Sequence, residues 1–340
     1  MDRRSVLAAA VALFAGCGQS PSPDTSTPTA GTGTATQAPS STATPTEEPT
    51  ATATEEPTAT ATETEEPTET PTETETPELS EREERAAQEL DRAISDLSQA
   101  VAAYTGNASD SLVTVSAASQ GFSRAAVLTE LTDADDNIEN ARRLVSGRQQ
   151  PRLAAVESAR RFLRLSIDVQ PRLIAAFGAT ETARDAVVEQ QESTLETATQ
   201  DLREERDDAE EPLDRIESET DASGVSVVPE ISESEYGAKV AQFGTEVDGF
   251  GSLADFFDRF LTAVADLNDA ERFDRAEREP RAREDGQAAA DAFDALASDL
   301  QAFVDGLSEA GASLEELAAD LARIAAEKAD DAREIVEDNS

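Results

Sequence analysis

From Leu79 to Ser340, apolar residues recur three and four positions apart, with few turn clusters and little strict alternation. That spacing is the period of an α-helix with one buried face, so this part of the chain is limited to a set of packed helices. Leu90, Ile94, Leu97, Val101 and Tyr104 form a first stripe, closed by Thr105-Gly106-Asn107. Residues 109–119 carry Leu112, Val113 and Val115 and read equally as helix or strand. A helix over 122–145 turns Leu128, Leu131, Ile138 and Leu144 inward, with Gly147 as its stop. Pro151 suits the first turn of the next helix. Its stripe of Leu153, Val156, Leu163, Ile167, Ile174 and Phe177 is thickened by Phe162, Leu165, Val169 and Leu173. This should be the most buried helix, kinked at Pro171.

Residues 180–218 are polar, with a thin seam of Val188, Leu195, Leu202, Leu213 and Ile216. Such a seam predicts one long coiled-coil-like helix. Gly224 and Pro229 mark the clearest internal break, and a hinge over 219–233 would separate 79–218 from 234–340. Beyond it, Val240, Phe243, Val247, Phe250, Leu253, Phe256, Phe257 and Phe260 supply an aromatic-rich core for the second half. The last stretch keeps the same rhythm from Phe293 to Ile324, weakened at Gly306 and Gly311. A capping box at Ser313-Leu314-Glu315-Glu316 would start its final helix. The expected fold is all-α: an elongated bundle of six to eight helices, some long and coiled-coil-like, preceded by a disordered stalk.

The stalk is residues 18–78, built almost wholly from Thr, Pro, Glu, Ala, Ser and Gly, with no Leu, Ile, Val or Phe. Such a tract cannot bury enough apolar surface to offset chain entropy. Thr-Glu-Glu-Pro-Thr-Ala-Thr-Ala at 46–53 repeats at 54–61, and ten prolines favour extended polyproline conformations. Its reach is about 45 Å as a flexible coil and about 190 Å fully extended. The threonine density also suits stalk-type O-glycosylation.

Composition narrows the chemistry. The 340 residues include 72 acids, 28 bases, no histidine, no tryptophan and one cysteine, for a net charge of −44. Transition-metal sites lean on His and Cys, and Ser-His-Asp or Cys-His catalysis needs an imidazole. The charge argues against nucleic acid, whose phosphates it would repel. Residues 18–78 contribute −12 and residues 79–340 contribute −33. Lys239 and Lys328 are the only lysines, and every other base is Arg. At ordinary salt this charge opposes compaction, whereas at about 1 M the Debye length falls to about 3 Å and the repulsion is screened. The pattern resembles secreted proteins of extremely halophilic archaea.

Arg3 and Arg4 precede the short apolar run Val6 to Ala15, which is too brief to span a bilayer and reads as a signal peptide over residues 1–17. The twin arginine resembles the Tat export signal. Phe14-Ala15-Gly16-Cys17 resembles a lipobox, with Phe14 in place of the commoner Leu. Together the leader, stalk and acidic helical part resemble haloarchaeal Tat-exported lipoproteins with a Thr/Pro/Glu-rich stalk and a helical domain. The resemblance implies lipidation at Cys17 and a position outside the cell membrane, held by the lipid; it carries no activity over.

The candidate sites are few. Pairs such as Asp135-Asp136, Asp207-Asp208 and Glu210-Glu211 have the chemistry for glycoside cleavage, but without an aromatic cleft they read as solvated faces. No EF-hand spacing occurs, and no metal or cofactor is expected. Asn107-Ala108-Ser109 is an N-glycosylation sequon. Arg142, Arg143, Arg148, Arg152, Arg160, Arg161, Arg164 and Arg172 concentrate positive charge. They serve either to pair with acidic neighbouring helices or as a patch for a protein partner. The functional expectation is a non-enzymatic lipoprotein presenting a helical module to an envelope protein. The alternative is a solute-binding lipoprotein serving a transporter, which would need a cleft between the halves flanking residue 225.

Overall fold

The computed structural model describes residues 80–106 and 111–340. The expected leader with Arg3, Arg4 and Cys17, the tract 18–78 and the sequon at Asn107 lie outside the described residues.

Among the described residues the architecture is all-α, as the apolar rhythm predicts. Helix α1 (Glu81–Tyr104) begins at a capping box: Ser80 accepts from the Glu83 backbone N–H while the Glu83 side chain accepts from the Ser80 backbone. It ends at Thr105 and Gly106, whose φ of +67° is open to glycine at little cost. Helix α2 (Arg124–Leu144) starts on Ser123, and α3 (Gln150–Val188) carries Pro151 in its first turn. Both starts follow the sequence reading. Helix α3 runs unbroken through Pro171, and at 39 residues it is about 58 Å long. Leu153, Val156, Phe162, Leu163, Leu165, Ile167, Val169 and Leu173 are all buried on it. Its Ile174 and Phe177, expected in the same stripe, are only half-buried.

The polar stretch 180–218 is not one helix. Helix α3 stops at Val188, and α4 (Glu192–Glu219) starts after a tight reversal. There Gln190 adopts φ 56°, its N–H bonds Val187 O at 3.2 Å, and the Gln191 N–H bonds Ala186 O at 2.9 Å. This pair is a Schellman closure, with glutamine where glycine usually sits. Val188, assigned to the apolar seam, is instead 48% exposed on this turn. The stretch expected as a hinge holds the single-turn helix α5 (Ala222–Val225), capped by Asp221. Val225, Val228 and Ile231 are buried there, and a Cβ on Gly224 would lie 2.9 Å from the Ser158 Cβ on α3.

Helix α6 (Glu233–Arg275) is the longest at 43 residues, about 64 Å. It ends in a second Schellman closure at Glu277, φ 53°. Helix α7 (Glu279–Gly306) and α8 (Ala312–Asp338) follow, divided near Gly306 and Gly311 as expected. The predicted capping box is not used: α8 begins after Gly311 without a side-chain cap. The Ser313 hydroxyl donates instead to Glu246 at 2.7 Å.

Most helices pack chiefly on a chain neighbour, α1 on α2, α3 on α4, α6 on α7 and α7 on α8, whereas the short α5 packs chiefly on α3. The long helices α3 and α6 knit these hairpins together, α3 against α1 and α2, and α6 against α4 and α8. One hydrophobic core joins side chains from all eight helices. Phe257, Phe260 and Phe293 pack through it as tilted rings, with centroids 6.1 and 6.2 Å apart. Close approach of α6 and α8 depends on Gly249, where an added Cβ would sit 2.3 Å from a Leu314 methyl.

Candidate functional site

Two places gather polar side chains: the arginine run of α2 and α3, and a buried cluster under residues 111–119.

The arginines are engaged with carboxylates. Arg142 reaches Glu139 at 2.9 Å and Glu157 at 2.6 Å, while Arg143 shares Glu139 at 3.2 Å. Arg152 pairs with Asp91, Arg160 with Asp135 at 2.6 Å and Arg161 with Glu219 at 3.5 Å. Arg164 lies 3.9 Å from Asp168, and Arg172 bridges Glu205 and Asp208 on α4. Arg148 sits close enough to Glu83 to favour its ionised form. Thus the run stitches α2 and α3 to α1 and α4 rather than standing as an uncompensated basic patch. Arg142, Arg160 and Arg161 are brought together around one shallow depression of about 280 Å³, with Asp135, Ile138 and Glu157. Each exposed pair of this kind contributes at most about 1 kcal/mol.

The buried cluster was not singled out by the sequence reading. Residues 111–119 form neither an α-helix nor a strand: a short 3₁₀ helix at Leu112–Thr114 leads into extended backbone at Val115. Much of their backbone bonding goes to side chains of α3 and α6, which accounts for the irregular shape. The Leu112 N–H donates to Glu235 at 2.6 Å, and the Ala117 N–H donates to Glu246 at 3.0 Å. Gln242 donates to Val113 O at 3.2 Å, and Gln170 donates to Ser116 O at 2.9 Å.

Lys239 is at the centre, fully buried. Its ammonium nitrogen donates to Val115 O, to Gln170 Oε1 at 3.0 Å and to Gln242 Oε1 at 3.0 Å. Those three bonds use every hydrogen of the ammonium group, all on uncharged oxygens. The Phe243 ring lies 4.3 Å away and the Tyr104 ring 5.5 Å. Tyr104 donates its hydroxyl to the same Gln170 Oε1 at 2.8 Å. Glu246, one heptad along α6, is also fully buried; Oε1 takes the Ala117 and Ser313 bonds, and Oε2 has no hydrogen-bond partner.

Burial disfavours charge on all three groups. It pushes the Lys239 ammonium down to about 7, against the opposing pull of Glu246. It raises the Glu246 carboxyl above the ordinary range, against the Ala117 N–H, the Ser313 hydroxyl and Lys239. Tyr104 is raised by burial and then by Glu246. Burial thus favours the uncharged form of each group: amine, carboxylic acid and phenol. A signal for it existed in the sequence: Lys239 and Glu246 occupy the apolar stripe that includes Phe243 and Phe250, and Lys239 is one of two lysines in a chain that otherwise uses arginine.

An open groove of about 730 Å³ lies between α3 and the start of α8. Phe177, Arg184, Leu317 and Arg323 line it, and both arginines pair with Asp320. Among the described residues no group of three or more potential ligands is placed to hold a metal ion, and no helix is long and apolar enough to cross a membrane. Comparison with protein families, with known proteins and with solved structures returned no match.

Proposed function

We propose that the chain is a membrane-anchored extracytoplasmic lipoprotein whose helical bundle is a non-enzymatic module for protein interaction or envelope structure. The observation that supports this reading is the construction of the bundle. One core fills it across all eight helices, and its outer arginines are tied into cross-helix ion pairs. That is the build of a stiff docking body. The N-terminal features support the location: twin arginines at Arg3 and Arg4, a cysteine at position 17, and a spacer before the first helix.

The test has two arms. Cys17→Ser should abolish metabolic labelling with a fatty acid and release the protein from the membrane fraction. Crosslinking in molar salt should recover a specific envelope protein joined to the bundle. Unchanged membrane retention by the variant would refute the anchor, and repeated crosslinking with no protein neighbour would refute the docking role.

A further inference from the structure

We propose that Lys239 and Gln170 join in an intramolecular isopeptide bond, made by the folded protein itself with release of ammonia, so that α6 is welded to α3. The proposal rests on how the two side chains and their neighbours are arranged. The Lys239 nitrogen contacts the Gln170 amide oxygen at 3.0 Å, inside a core that excludes water. Exclusion of water matters because hydrolysis is the competing fate of an activated amide. Gln170 Oε1 accepts a second bond from the Tyr104 hydroxyl at 2.8 Å, which polarises the carbonyl. The Gln242 amide also lies 3.0 Å from Lys239 but has no hydroxyl on its oxygen. Two like amides therefore compete for one amine, and Tyr104 selects Gln170.

The chemistry balances without an outside reagent. As an ammonium, Lys239 has three hydrogens for three oxygens; as an amine it has two, and its lone pair is left facing an acceptor group. The lone pair forms the new N–C bond at Gln170 Cδ, and the carbonyl electrons move onto Oε1. There the Tyr104 hydroxyl holds the developing charge, as an oxyanion donor does. Collapse breaks the Cδ–Nε2 bond and expels Nε2 as ammonia. The proton that Lys239 Nζ loses on attack passes to Nε2, which is bonded to the same carbon in the tetrahedral intermediate and leaves carrying it. Burial, which lowers the Lys239 ammonium to about 7, makes the nucleophilic amine accessible near neutral pH.

The experiment is tryptic mass spectrometry on the full chain, purified in molar salt and then denatured. The expected product joins residues 165–172 to residues 216–259, lighter than the two peptides by one ammonia, with no cleavage after Lys239. Separate peptides with cleavage after Lys239 would overturn the proposal. An ammonia loss confined to 216–259 would place the bond on Gln242 and overturn the assignment to Gln170. One variant tests the machinery: Tyr104→Phe should slow linkage by about 100-fold, the usual cost of one oxyanion donor. Linkage at the normal rate in the folded variant would refute the role given to Tyr104.

Discussion

Glu83 holds the start of α1 with one carboxylate and the far end of α2 with the same group. Oε2 accepts the Ser80 backbone N–H at 2.9 Å, closing the capping box, and Oε1 accepts the Ser146 hydroxyl at 2.6 Å. Its neighbour Arg82 donates to the carbonyls of Arg143 and Leu144. The Ser146 hydroxyl first, then the Ser80 backbone and side chain, pull the Glu83 carboxyl down to about 2 from 4.5. The sign follows from linkage: a carboxyl depressed on folding adds stability above its unfolded value, lost as pH falls from 4.5 through about 2. Glu83→Gln should therefore lower the urea midpoint at neutral pH, with the gap to the parent closing as pH falls through that window. A gap that is constant with pH would show that the charge is not what matters. Ser80→Ala should cost about 1 kcal/mol in the same assay, through loss of the cap.

Helix boundaries show which physical signals a sequence displays. Breaks that use glycine or proline were legible: Gly106, Pro151, Gly224 with Pro229, and Gly306 with Gly311. The break between α3 and α4 was not, because Gln190 fills the left-handed position and the apolar seam runs on past it. Its carbonyl accepts from Asn268 on α6, a tertiary contact that local sequence does not reveal. The end of α6 uses the same closure at Glu277, which is exposed. Glu277→Gly should stabilise the fold by about 1 kcal/mol, since glycine enters the left-handed region without a Cβ penalty. Chemical denaturation would read the gain, and a loss would mean the glutamate has a compensating role. Gly249 works in the opposite sense. With Leu314 in the way of any added Cβ, Gly249→Val should cost about 1–3 kcal/mol by overpacking the contact of α6 with α8. The same contrast governs the sites. The arginine run announced itself by charge and its pairing by the acidic surroundings. The cluster around Lys239 depends on three segments meeting, residues 111–119, α3 and α6, so periodicity alone counts Lys239 as one more polar interruption.

At the scale of the molecule, the net charge of −33 on residues 79–340 works against the compactness of the bundle. Cross-helix pairs such as Arg160 with Asp135 and Arg259 with Asp299 are local attractions within a larger repulsion. Raising KCl from dilute buffer to about 1 M shortens the Debye length to about 3 Å, so the repulsion should fade while hydrophobic burial persists. The thermal midpoint should rise steadily with salt; a midpoint independent of salt would show that the acidic surface carries no such strain.

The order in which the helices pack has a further consequence, for time rather than for stability. Because α1 meets α2, α3 meets α4, and α6, α7 and α8 meet in succession, most contacts join segments near one another along the chain. Chains of low contact order close short loops first and fold in microseconds to milliseconds, well ahead of chains that must wait for distant pairings. The slow events left are the meetings of α6 with α3 and α4, on which the seating of residues 111–119 depends. Two phases should be separable by stopped-flow in molar salt: rapid gain of helix, then slower quenching of Tyr104 as it is enclosed.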